Sequence, residues 1–299
     1  SLRDFKGTSY LNTMIYETAK NYKPDLILLG HSYDIESDTL EKIKDLSKKT
    51  VISQWFEDHL ADTGPDFASN RKKLLKYDNF VTSNFITTHP STLDFLRKKK
   101  NFHYLPIPVD KNIEKLKIYE NNNQINDVFF SMSHGVNRGK LKRDKQDERH
   151  NFITDLITEC PNIIFDIYGY NNREPVWAED FYKVIVNSKM ALNLTRGKPL
   201  KYLTSNRIAS LIGNGLLTFI DKRTQLSNFF NGNEVIFYSG LEDLANKINF
   251  YKSNDKKRIN VAKKGRRKYF DLFECQKVAN YIISKSFNRE ISKKLKWMD

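Results

Sequence analysis

Short β-rich runs alternate with helix-period segments from the start of the chain, the pattern of a parallel sheet with helices packed on both faces. In the first half the pattern predicts a helix over 8–21, then a strand over 25–30 (DLILLG) announced by Pro24. A helix over 36–48, a strand over 50–55 (TVISQW) and a loop holding Gly64 and Pro65 follow. The half closes with a short strand over 80–83, a helix over 90–100 opened by Pro90 and Ser91, and the strand FHYLPI, which ends at Pro106 and Pro108.

Residues 108–126 are polar and Asn-rich (KIYENNNQIN), as a linker should be. A second series begins beyond them: strand DVFFSMS (127–133), a basic loop, helix 146–158, strand IIFDIYG (163–169), helix 178–188 and strand MALNL (190–194). It continues with helix 203–213, strand GLLTFID (215–221), strand EVIFYS (234–239) and three helices near 241–252, 255–270 and 274–290. The organisation expected is α/β, with two Rossmann-like, doubly wound domains: one over 1–110, a linker over 111–126, a second over 127–275, and a C-terminal helix over 276–299. The first domain opens with a helix where such domains open with a strand, so its first strand is expected to be missing or to lie upstream of Ser1.

At 299 residues the chain is long enough for two cores, and 39% hydrophobic with 13% aromatic content excludes a natively unfolded chain. No apolar run reaches the roughly 18–20 residues of a spanning helix, and SLRDFKGTSY has no apolar stretch of the signal-peptide kind. Two cysteines, Cys160 and Cys275, exclude a disulfide framework and a cysteine-built zinc site, and fit a reducing cytoplasm. The formal charge of +14 predicts attraction to something anionic: nucleic acid, a membrane surface or phosphorylated small molecules. Residues 251–299 carry 15 basic and 5 acidic side chains, so +10 of the +14 resides in this last segment and need not describe the site.

The most informative segment is 187–221, NSKMALNLTRGKPLKYLTSNRIASLIGNGLLTFID. A strand ending at Asn193 leads through a loop to a helix with TSNR at its N-terminus, then to a Gly-bounded turn and another apolar strand. Free N–H groups and the positive dipole end of that helix suit a diphosphate, and Arg207 adds a charge-assisted fork. The alternative is that Ser205 and Asn206 only cap the helix and Arg207 makes a surface pair.

The spacing from Arg207 to Gly215, followed by LLTFID, resembles the C-terminal domain of bacterial group 1 glycosyltransferases of GT-B fold, and most closely the spore-coat-associated subgroup. PDLILL, WFED, LPIPVD, FDIYGY and the tail from NEVIFYS to RRKYF agree with it in order. The resemblance implies two domains facing a cleft and a nucleotide-activated sugar held by the C-terminal one. Tyr168 and Gly169 would face the nucleotide; Asn193, Thr204, Ser205, Asn206 and Arg207 would face the donor phosphates or sugar. The chain departs from its relatives at Ser210, where many carry a Glu that holds the ribose hydroxyls; the paired Glu of many retaining relatives is likewise replaced, by Tyr202.

Directly after the first strand of the second half comes SHGVNRGKLKRDKQDER (133–149). Its glycines allow close backbone approach, and Arg138 and Lys140 are candidates to neutralise a leaving diphosphate, the alternative being a solvated basic loop. The chain contains no D-x-D triplet, so no metal is expected as the leaving-group clamp. For acceptor activation, QWFEDHL places Glu57, Asp58 and His59 beyond a strand end, and GHSYD places His31 and Asp34 beyond another. Asp58 is the first candidate base and His31 the second; retaining transfer would need neither. Metalloprotease, P-loop and serine-hydrolase motifs are absent. The three tryptophans are expected to pack, although Trp177 lies in a loop that a sugar face can meet.

The expected function is sugar transfer to a hydroxyl of a cell-surface glycan or lipid-linked precursor, in the cytoplasm, with the basic C-terminal helices crossing back to the N-terminal domain or facing anionic lipid at the inner membrane. The alternatives are a GT-B-shaped binding protein without catalysis and a nucleic-acid-binding protein. The second has charge and aromatics in its favour but no RNP-like, helix-turn-helix or zinc-knuckle pattern, and nucleic acid is not expected as a partner.

Overall fold

Pro24 follows the first helix, α1 (Leu2–Tyr22), and the apolar run after it pairs with the next apolar run in parallel: β1 (Leu26–Gly30) with β2 (Val51–Phe56). The computed structural model describes residues 2–64, 66–133, 136–137, 140–141, 148–291 and 293–298. They divide into two units, residues 1–105 with 278–299, and residues 106–277.

In the first unit β1, β2, β3 (Ser83–Ile86) and β4 (Phe102–Tyr104) form one parallel sheet in chain order. The crossover helices α2 (Ser37–Leu46) and α3 (Phe67–Leu75) lie on one face, as right-handed connections between successive strands require. Leu29, Leu40, Ile52, Tyr77 and Val81 form the core there. No side chain of its own caps α2; the buried Asn12 of α1 accepts from Glu36 N and Thr39 Oγ1, both at 2.8 Å. The other face is covered by the chain's end. Ser53 Oγ meets Ser286 Oγ at 2.7 Å, Ser83 Oγ donates to Lys285 O, and Tyr281 lies edge-on to Phe85 with Trp297 buried behind it.

Two elements differ from the pattern. The strand expected at 80–83 occupies 83–86, because Phe80 N and Val81 N both bond Tyr77 O in a turn that puts Val81 into the core. The helix expected over 90–100 is two 3₁₀ turns, Pro90–Thr92 and Asp94–Leu96. Beyond Leu96 the run RKKKN offers nothing apolar to bury, so packing gives no reason to continue.

The second unit holds a five-stranded parallel sheet of β5 (Asn126–Ser131), β8 (Phe165–Tyr168), β9 (Ser188–Asn193), β10 (Leu217–Asp221) and β11 (Ile236–Tyr238), in the order β11-β10-β9-β5-β8. Between β5 and β8 lies a small antiparallel pair, β6 (Val136–Asn137) and β7 (Lys140–Leu141). The strand order reverses at β5, which has β8 on one side and β9 on the other. Val128, Phe130, Met190, Leu192 and Phe219 pack on one face against α4 (Glu148–Glu159), α7 (Leu241–Ser253) and α8 (Asp255–Phe273). Phe129 and Ala191 pack on the other against α5 (Ala178–Ile185) and α6 (Asn206–Gly213). The last helix, α9 (Cys275–Ser286), begins in this unit and ends in the first.

The stretch expected as a linker, 111–126, belongs to the second unit, and the division falls at 105/106 and 277/278. Ile118 and Tyr119 are buried, Ile118 N donates to Asn214 O at 2.8 Å, and Leu116 N donates to Asn214 Oδ1. The Asn-rich composition that suggests a linker thus supplies side chains that satisfy backbone groups, with Asn121 and Gln124 bonding Val186 O and Ile118 O.

Candidate functional site

Ligands of open α/β sheets lie beyond the carboxyl ends of the strands where strand order reverses, and in the second unit that place is the gap between β5 and β9. Arg207 occupies it. Ser205 caps α6 by accepting from Ile208 N, so Arg207 stands in the helix's first turn. Its Nη1 donates to Ser131 O of β5 at 2.7 Å, its Nε to Asn193 Oδ1 of β9 at 3.2 Å, and its Nη2 to Leu194 O. The guanidinium also lies 5.0 Å from the centre of the Phe130 ring. A fixed cation and a helix N-terminus therefore share one spot, a ready-made anion site.

A cavity of about 320 Å³ opens there. Arg207 and Arg149 form its cationic part, with the Asn206 amide beside them; Val176, Trp177 and Phe181 form an apolar wall; Tyr182 and Ser210 contribute hydroxyls. Trp177 is 57% exposed, at the end of a turn in which Asn171 and Asn172 take left-handed backbone conformations. Beneath the cavity lies Glu114, 6% exposed, whose Oε2 accepts from Asp110 N at 2.8 Å and whose Oε1 accepts from Tyr182 Oη at 3.4 Å. Burial pushes the Glu114 carboxyl above its ordinary range, against those two hydrogen bonds. Burial likewise raises the Tyr182 hydroxyl.

Of the residues singled out for the donor, Arg207 and Asn206 line the cavity. Asn193 is 3% exposed and holds Arg207, and Ser205 caps the helix; both shape the site from behind. Thr204 does not face it: buried, its Oγ1 accepts from Ile107 N and ties down the chain entering the unit. Tyr168 is set apart as well, because the Arg173 guanidinium, paired to Asp166, stacks 3.6 Å from its ring centre. Gly169 acts through its missing side chain: at φ +74° a Cβ would fall on the Met132 carbonyl, and Met132 is in the cavity wall. Arg138 lies outside the described residues, and Lys140 is described only as part of β7. Tyr182 and Glu114 carried no sequence signal, since one is an aromatic within a helix and the other sits in a polar stretch 68 positions away.

In the first unit, the carboxyl ends of β1 and β2 bring His31 and Asp58 together through a residue the motif contains but the pattern did not single out, Tyr33. Its Oη donates to Asp58 Oδ2 at 2.8 Å and lies 3.2 Å from His31 Nδ1. The loop is braced by Lys76 Nζ on Tyr33 O and Ile35 O and by Tyr77 Oη on Ser32 O and Ile35 O. Burial, then the adjacent Asp58, raises the Tyr33 hydroxyl well above its ordinary range, so it remains a donor. Among the described residues no group of three or more His, Cys, Asp or Glu is placed to hold a metal ion.

A clamped arginine and a helix N-terminus meet at the switch point of a doubly wound sheet, an arrangement suited to an anionic ligand. Residues 145–284 match the family described as glycosyl transferase-like. In fold the chain is similar to HepE of Anabaena, solved with UDP (TM-score 0.63, 14% identity, 93% of this chain and 82% of that one). It is also similar to the sucrose-phosphate synthase of Thermosynechococcus elongatus (0.60, 9%, 95% and 78%) and to TarM of S. aureus, solved with UDP (0.58, 12%, 92% and 58%). No curated protein matches the sequence. The chain has the fold of the GT-B glycosyltransferases.

Proposed function

We propose that the protein moves a sugar from a nucleotide diphosphate donor to a hydroxyl of a cell-surface glycan or lipid-linked precursor, without a metal ion. The observation that carries this reading is Arg207, fixed by three hydrogen bonds between two strand ends at the mouth of a cavity of nucleotide size. Cleavage of the donor puts negative charge on the departing diphosphate, and Arg207 with the N-terminus of α6 is preorganised to take it. HepE has been solved with both UDP and UDP-glucose, which supports a uridine donor here. Asp58, oriented by Tyr33, is the group proposed to take the acceptor's proton.

The test is a melting-temperature panel with UDP, GDP, ADP, CMP and dTDP, with short RNA as a control, on wild type and Arg207→Ala. A nucleotide at 100 times its Kd stabilises by about 2.7 kcal/mol, and Arg207→Ala is expected to abolish that shift. Transfer with the nucleotide-sugar so identified should continue in EDTA and fall about 100-fold or more in Asp58→Asn with donor binding unchanged. A shift with RNA alone would overturn the donor reading.

A further inference from the structure

A second cavity, of about 550 Å³, opens in the second unit at the carboxyl ends of β10 and β11, and it shares no lining residue with the cavity at Arg207. The last register pair of the two strands, Asp221 and Tyr238, lines it together with Phe152 of α4, Gln225 and Ser239. The Phe152 ring is tilted 36° to the Tyr238 ring, with centres 6.5 Å apart. Tyr238 is 2% exposed, yet its hydroxyl makes no hydrogen bond among the described residues. A buried hydroxyl without a partner is costly to the fold, so this one calls for a ligand. Burial, then the adjacent Asp221, raises it above its ordinary range, so it stays protonated and is a donor for whatever enters.

The charges around this cavity are matched within the protein. Arg223 forks onto the Asp221 carboxylate, Nε at 3.0 Å from Oδ1 and Nη2 at 2.6 Å from Oδ2. Asp243, in the first turn of α7, accepts from Lys247 Nζ at 2.7 Å and from Ser239 N at 2.8 Å, and Lys222 acts on the same carboxylate. An anion would have to compete with two carboxylates for these cations. A neutral ligand meets instead the Tyr238 donor, the Gln225 amide, the Ser239 hydroxyl and an aromatic ring. A pyranose carries hydroxyls that donate and accept around apolar C–H faces, and the cavity has room for more than one such ring. We infer that the cavity is a subsite for a neutral sugar unit of the acceptor glycan, with Tyr238 Oη and Gln225 as its hydrogen-bonding contacts and Phe152 against a C–H face. The inference rests on the glycosyl-transfer reading above and deepens it on the acceptor side. β10 lies between β9 and β11, with neighbouring strands roughly 5 Å apart, so a short glycan anchored here can run along the sheet's edge toward Arg207.

The experiment is an NMR titration of wild type, Tyr238→Phe and Gln225→Ala with maltotriose, cellotriose, triacetylchitotriose and orthophosphate, alongside UDP and UDP-glucose, with a melting temperature for each variant. Wild type should bind at least one trisaccharide, and each variant should weaken that binding about fivefold or more while UDP and UDP-glucose affinities stay within about twofold. Tyr238→Phe should melt no lower than wild type, because its hydroxyl has no partner in the fold to lose. No binding of any trisaccharide by wild type, or binding that either variant leaves intact, overturns the inference and leaves the donor reading standing. Weakening of UDP-glucose but not of UDP would put the donor's own sugar here, and orthophosphate binding weakened by Tyr238→Phe would make this an anion site; each overturns it. A lower melting temperature of Tyr238→Phe overturns it too, by showing that the hydroxyl serves the fold. Failure of wild type to bind UDP or any nucleotide of the panel overturns the donor reading itself.

Discussion

Arg207 is informative because backbone and amide oxygens at two strand ends, Ser131 O, Leu194 O and Asn193 Oδ1, position its guanidinium. Gly169 tests the same site from its backbone. A Cβ there meets the Met132 carbonyl and also strains a φ of +74°, so Gly169→Ala should cost about 2 kcal/mol or more in urea denaturation and shift the cavity wall. His103 carries the clearest pH signature. Burial against Phe85 and Tyr281, with Lys285 adding repulsion, lowers its pKa from 6.5 to about 4. The unfolded chain therefore takes up the proton first as pH falls. Stability is fully present above about pH 6.5 and is lost as pH falls through about 4, by at most about 3 kcal/mol. Denaturation midpoints at pH 7 and pH 4.5 should show this slope, and His103→Phe should flatten it.

Among the elements, α9 shows how small polar residues permit close packing. Ser286 is 1% exposed and meets Ser53, which is fully buried, so helix and sheet approach until two hydroxyls bond. Ser286→Leu forces several extra carbons into that contact and should destabilise by about 1–3 kcal/mol, with hydrogen exchange accelerated in β2 and β3 more than in β9 and β10. Equal acceleration in both sheets would show that α9 is not specific to the first. The 3₁₀ turns at 90–96 make the complementary point, since apolar residues at Leu93 and Leu96 secure one buried turn each but not a helix.

Across the whole molecule the charge is a surface property separate from the site. On α8, Arg258, Val261, Ala262, Gly265 and Tyr269 face inward, while Lys256, Lys257, Lys263, Lys264 and Arg267 are exposed along the opposite side. Among the described residues no helix is long and apolar enough to cross a membrane. The exposed basic side of α8 is what we propose meets an anionic bilayer surface. Flotation with anionic vesicles should show binding at low salt that is lost near about 0.5 M, and reversing Lys256, Lys263 and Arg267 to Glu should weaken it at least tenfold. Vesicle binding insensitive to salt and to these changes would exclude the stripe.

Much of the fold was legible along the chain because alternating and 3.6-residue periods encode which face of each strand and helix is buried. β1, β2, β5, β9, β10 and the long helices fall where those periods place them. Arg207 was legible too, since a cation in the first turn after a strand and loop is a local arrangement with a local electrostatic meaning. The division between units was not, because polar composition at 111–126 cannot distinguish a solvated linker from side chains that bond a neighbouring backbone. Nor were Tyr33 as the link between His31 and Asp58, or Glu114 beneath Tyr182 and Ser210. Those groups are distant in sequence and meet only when strands from different parts of the chain pair, so their chemistry exists only after the sheets have set the distances between them.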